Sequence, residues 1–172
     1  MERIRGASTD AGGGAPYGAL AHWSGAAAPA AEFLKRKTNR VLFPVTTSIF
    51  AAVLALVYVV LAGWVMAGRT TKHTLEGDGG DPELQKRVRA HGNFGEYVPL
   101  ALIVIGLYEG GGGSHGLVLA LLWALLIGRL LHPVGLFARP NTVPMFACWG
   151  GGMLLTLLSI AVGAVALIVA HA

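Results

Sequence analysis

The stretch RVRAHGNFGEYVP, Arg87 to Pro99, places an Arg, a His, an Asn, a Glu and a Tyr within the nine positions from Arg89 to Tyr97. These side chains are suited to holding a small charged molecule. A guanidinium grips a carboxylate with its planar fork, a carboxylate accepts from an amine, and an amide supplies both a donor and an acceptor. On a helix, with Arg89 at zero, Glu96 falls at about −20°, Asn93 at about 40°, Lys86 at about 60° and Tyr97 at about 80°, so one narrow face carries all five. His91 falls near 200° and is expected to touch a neighbouring helix or subunit instead. A second polar pair, Arg129 and His132, is three residues apart and therefore shares a face. Pro133 cannot donate to the carbonyl of Arg129, and Pro99 cannot donate to that of Gly95, so the backbone is loosened beside both groups.

Two readings of these residues are open at this point. Arg89 and Glu96 can pair with each other and hold a bundle together, or they can line a polar pocket for a charged ligand. Arg129 and His132 can likewise be snorkelling or paired groups near a helix end, or ligand contacts.

The elements that must position these residues are membrane helices. The chain has 172 residues, 54% of them hydrophobic and 13% charged, with a mean hydropathy of +0.61. A transmembrane helix needs about 20 mostly apolar residues. Phe43 to Ala67 and Val143 to Ala170 meet that length, as does Gly116 to Phe137 once Arg129 and His132 are accommodated. The run VPLALIVIGLY is too short alone and becomes a span, Pro82 to Tyr108, only by including the polar motif. The expected fold is an all-α integral membrane four-helix bundle over residues 41–172, preceded by a flexible, Ala- and Gly-rich extension over residues 1–40. Asp81 is placed to cap the second helix, Pro82 fits its first position and Glu83 complements its dipole, so this helix is expected to start in water or headgroups, with the polar motif as its water-facing first turns. Glu109 to His115 reads as a tight loop with Ser114 a candidate N-cap. Gly150, Gly151 and Gly152 allow close helix approach, and Trp64 and Trp149 are expected interface anchors.

The formal charge of +4 sits beside apolar segments, which points to membrane lipid headgroups as partners and away from nucleic acid. Six basic residues precede the first span and six fall on the other side, so charge counting leaves the orientation unset. Cys148 stands alone, which excludes an intrachain disulfide and predicts a free buried thiol. No metal-ligand spacing and no phosphate-binding glycine motif occurs.

The pattern formed by Arg89, Ala90, His91, Asn93, Glu96 and Pro99 resembles the MAPEG superfamily, the membrane-associated proteins in eicosanoid and glutathione metabolism, and most closely its short bacterial members. The stretches GDGGDPELQKRVRAH and GRLLHPVGL are similar to that branch as well. The resemblance implies a homotrimer in a bacterial inner membrane, with glutathione as cosubstrate held between subunits. By position it implies Arg89, Asn93, Glu96 and Tyr97 as ligand contacts from the second helix, His91 as an addition, and Arg129 and His132 as the contribution of the third. The implied activity is glutathione transfer to, or reduction of, lipophilic electrophiles. The eicosanoid synthases carry a Tyr seven residues after the third-helix Arg, where this chain has Leu136, and a catalytic Arg near the fourth helix, for which Arg139 is the nearest candidate here. The alternative is a noncatalytic relative that binds lipid or scaffolds a larger membrane complex.

Overall fold

The computed structural model describes residues 42–172, so the extension expected over residues 1–40 lies outside the described residues. Four long helices follow one another: α1, Val45–Thr71; α2, Pro82–Gly110; α3, His115–Phe137; and α4, Val143–His171. Three of them, α1, α3 and α4, are long and apolar enough to cross a membrane. At a rise of about 1.5 Å per residue, α2 with its 29 residues reaches about 43 Å, but its polar half keeps it from qualifying by composition.

The start of α2 follows from local chemistry. Asp81 Oδ1 accepts from the backbone N–H of Glu83 at 3.0 Å and of Leu84 at 2.8 Å, and Pro82 occupies the first turn. Outside it, Asp81 Oδ2 pairs with Lys72 Nζ at 2.7 Å and ties the end of α1 to the start of α2. At the opposite end Glu109 belongs to α2, whereas the sequence suggested a loop. Its carboxylate accepts from Thr46 N at 2.9 Å, Thr47 N at 2.8 Å and Thr47 Oγ1 at 2.6 Å. The first turn of α1 is thus capped by a residue 62 positions away. Ser114 precedes α3 but makes no side-chain capping bond.

Helix α2 packs against all three other helices, whereas the backbones of α1 and α4 make no close approach among the described residues. One apolar cluster, around Leu54, Leu61, Phe94, Val98 and Leu125, joins α1, α2 and α3. A second, around Ile105, Val118 and Leu122, closes the far end. The outward faces stay apolar, with Val59, Val60, Ile103, Trp123, Leu154 and Val165 among many exposed large side chains. That distribution suits a surrounding of lipid rather than water.

Helices α3 and α4 approach through glycine. A Cβ on Gly128 would lie 2.7 Å from the carbonyl oxygen of Gly152, a Cβ on Gly152 would lie 2.7 Å from that of Gly128, and a Cβ on Gly135 would run into the backbone of Trp149. The close approach expected from the glycine cluster is therefore made by Gly152. Trp149 itself packs on α3, and Trp64 is engaged by Phe137, with ring centroids 4.9 Å apart, and by the Arg87 guanidinium. The first part of α4, Phe146–Gly150, winds as a π turn before the α-helix resumes at Gly151. Such turns insert an extra residue and commonly mark functional positions. Cys148 lies within this turn and is half-buried rather than buried.

Candidate functional site

Depth in the bundle is set by the register of α2 against α1. Leu84 is level with Gly68, while the Tyr58 ring stacks on His91 at 4.6 Å and touches Phe94 at 5.8 Å. Tyr58 is the middle residue of α1, which runs from Val45 to Thr71. Asn93 and Glu96 therefore stand near mid-depth, level with that ring but on other sides of α2. The expectation that they belong to water-facing first turns is corrected: the first turns are Pro82 to Arg87, which lie alongside the last turns of α1, and Asn93 and Glu96 follow deeper in the bundle. His91 does meet a neighbouring helix, as its angular position suggested.

The stripe on α2 divides by angle. Arg89 and Glu96, at its outer edge, are exposed and form neither a hydrogen bond nor an ion pair among the described residues. The idea that they pair with each other is corrected, since seven residues place them about 10 Å apart along the axis, with both side chains pointing outward. Lys86, Asn93 and Tyr97, at the inner edge, are half-buried and turn towards α3. Lys86 Nζ lies 5.6 Å from the centroid of the Phe137 ring.

Behind Asn93 stand the two polar residues of α3. Arg129 is 1% exposed and His132 is 2% exposed. The Asn93 Nδ2 amide lies 3.0 Å from His132 Nε2. Arg129 donates through Nη1 to the backbone carbonyl of Asn93 at 3.3 Å, and through Nη2 to the carbonyl of Gly152 at 3.4 Å and to Met153 Sδ at 3.9 Å. Its guanidinium also lies 5.8 Å from the centroid of the Tyr97 ring. No carboxylate faces this cation among the described residues, and Arg129 Nε and His132 Nδ1 are buried without a partner. The expectation that Arg129 and His132 are themselves ligand contacts is therefore revised. Within one subunit they are sealed off by packing and act on Asn93 from the rear.

Arg139 is not brought to this group. It lies two residues beyond the end of α3, exposed, with its carbonyl accepting from Thr142 Oγ1 at 2.7 Å.

Two features of this region escape a reading of the sequence alone. Tyr58 is the one hydroxyl-bearing aromatic in the apolar run of α1, and that oddity was its available signal. A groove of about 360 Å³ runs beside it, lined by Ala51, Ala55, Gly95, Pro99 and Leu102 among others. Small residues facing each other from α1 and α2 open it, and such a pairing depends on the register between two helices. Chemically the site offers a cation and a carboxylate on an outer face, a half-buried amide between them, and an apolar groove alongside.

The MAPEG family model matches residues 47–166. Among curated proteins, the chain is similar to the inner membrane protein YecN of Escherichia coli K12, at 33% identity over 93 residues, covering 54% of this chain and 71% of the relative. The YecN of Escherichia coli O6:H1 strain CFT073 matches to the same extent, 33% over 93 residues. No solved structure matches.

Proposed function

Because this chain belongs to the MAPEG family and is an integral, multi-pass inner-membrane protein, we propose that it binds glutathione on the outer face of α2, with a second copy closing that face in a homotrimer. The observation that carries this reading is the exposure of Arg89 and, near mid-depth, of Glu96, without a partner among the described residues. A charge facing hydrocarbon at that depth costs about 2.5–3.5 kcal/mol on insertion scales. A neighbouring subunit and a polar ligand between the two would remove that cost. Glutathione fits the residues: its carboxylates suit Arg89, its ammonium suits Glu96, and its amides suit Asn93 and Tyr97. His91, stacked on Tyr58 on the side of α2 that meets α1, does not join that face.

As cosubstrate, glutathione would supply a thiolate, favoured by a nearby cation, whose sulfur bonds to an electrophilic carbon while the leaving group departs with its electron pair. Arg139, exposed two residues beyond α3 and not beside the α2 face of its own subunit, is the proposed thiolate-stabilising residue only as a contribution from the neighbouring copy. The groove between α1 and α2 gives a lipophilic electrophile an entry from the bilayer side. One observation favours a second, noncatalytic reading, in which the chain binds lipid or scaffolds a larger membrane complex. Leu136 packs against the main core cluster and brings no hydroxyl to α3.

The test is a glutathione titration of purified protein, followed by thiolate ultraviolet absorption and by turnover of a hydrophobic electrophile, with the oligomer's mass measured in detergent. Binding with turnover in a trimer is expected. Binding without thiolate or turnover selects the noncatalytic reading, and no binding by intact trimers ends the glutathione reading altogether.

A further inference from the structure

The contact between α2 and α3 carries a consequence for what Asn93 presents to a ligand. Its amide Nδ2 points inward, to His132 Nε2 at 3.0 Å. In a neutral imidazole only one ring nitrogen accepts, so accepting from Nδ2 requires Nε2 to be bare and the proton to sit on Nδ1, which is itself buried without a partner among the described residues, so the bond to Asn93 is what selects this tautomer. The other end of the amide, Oδ1, has no hydrogen bond among the described residues and is not among the atoms buried without a partner. Arg129 completes the arrangement by holding the backbone carbonyl of the same residue, so neither the chain nor the side chain of Asn93 is free to turn.

We infer that His132 is a positioning residue that fixes the orientation of the Asn93 amide, so that the α2 face always offers an oxygen and never an NH₂ group at that position. An unrestrained Asn could present either end. With Oδ1 outward, Asn93 and Glu96 are both acceptors and Arg89 is the donor, so the face recognises a ligand that brings a hydrogen-bond donor next to a carboxylate. The recognition step rests on the glutathione reading above, whereas the orientation of the amide does not.

The consequence of removing the acceptor follows from the chemistry of a buried donor. In His132→Phe the inward Nδ2 loses its partner, and a buried unpartnered donor is costly, so the amide turns its NH₂ outward. If the competent orientation falls to about a tenth of the population, apparent affinity falls about tenfold. His132→Gln keeps an acceptor, Oε1, and is expected to stay within about threefold of the parent. Asn93→Asp has an oxygen at both ends and needs no orienting.

Two measurements on the full chain in nanodiscs test this. The first is imidazole nitrogen NMR, with the His132 signals identified by their absence in His132→Gln; a bare, hydrogen-bonded Nε2 that changes in Asn93→Leu is expected. A protonated Nε2, or no response to Asn93→Leu, overturns the inference whether or not glutathione binds. The second is the glutathione dissociation constant of the His132 variants, measured both in the parent and in the Asn93→Asp background. His132→Phe should cost about tenfold in the parent and less than about twofold in Asn93→Asp, with His132→Gln near the parent. An equal loss in both backgrounds makes His132 merely structural and overturns the orienting role. Failure of the parent protein to bind glutathione counts against the proposed function, while the NMR result still decides the orientation.

Discussion

Replacing Arg129 by Met should separate folding from function, because the forces on this residue nearly cancel in one and not in the other. Its favourable contacts are long: 3.3 Å to the carbonyl of Asn93, 3.4 Å to that of Gly152 and 3.9 Å to Met153 Sδ. Hydrogen bonds from a charged donor are worth about 1.5–3 kcal/mol at good geometry, and N–H···O bonds cluster near 2.9 Å, so these three together supply about 3 kcal/mol. The Tyr97 ring adds about 1 kcal/mol. Against this stands a guanidinium that is 1% exposed, has no facing carboxylate among the described residues and keeps an unpartnered Nε. The effective penalty for burying one such ion is several kcal/mol. A Met of similar reach fills the space without that penalty.

Arg129→Met is therefore expected to change stability by no more than about 1.5 kcal/mol in either direction, a shift of about 6 °C or less in a detergent melt monitored by scanning fluorimetry. Glutathione affinity should fall about tenfold or more, because the turn carrying Asn93 loses its clamp and the site loses its nearest buried cation. Arg129→Lys should do worse than Met in the melt, since an ammonium keeps the charge but cannot reach both carbonyls. A drop of more than about 12 °C for Arg129→Met would refute this balance of forces and show that the cation is a net stabiliser of the bundle. Unchanged affinity would show that Asn93 does not need the clamp.

Gly135→Ala should abolish a well-packed bundle, since its methyl meets the backbone of Trp149, whereas Gly92→Ala, with open space around the new Cβ, should melt within about 1 kcal/mol of the parent. Glu109→Ala removes three bonds to the first turn of α1 and should destabilise by about 1–2 kcal/mol, with faster amide exchange confined to Thr46 and Thr47. The hydrogen bond from Lys72, with the backbone bond from Leu84, holds the Asp81 carboxyl below the usual carboxylate range. Its stabilising effect is present above the unfolded value of about 3.9 and is lost as pH falls through the depressed folded value, so amide protection at Glu83 and Leu84 should drop on acidification. The same hydrogen bond raises the Lys72 ammonium, whose contribution is complete below about 10.4 and lost as pH rises through its raised value. Asp81→Asn should flatten both limbs of that protection profile.

What the sequence determines by itself is everything written in neighbouring positions. The apolar runs of α1, α3 and α4 exceed spanning length on composition alone, Asp81 caps α2 through bonds only two and three residues away, and the stripe of Arg89, Asn93 and Glu96 follows from helical periodicity. Such features need no knowledge of a second helix. Tertiary structure alone decided the depth of that stripe, because depth depends on the sliding register by which Tyr58 meets His91 and Phe94. It also decided which edge of the stripe faces inward, leaving Arg89 and Glu96 exposed while Asn93 turns to His132 across 39 residues of chain. The same holds for Glu109, which looks like a loop residue locally but caps a helix that begins 64 residues earlier. In each case the partner is distant in sequence, and only the glycine-permitted approach of α3 to α4 and the central position of α2 bring the two together. A helical pattern specifies an angle about its own axis; what lies at that angle is settled by packing against the other helices.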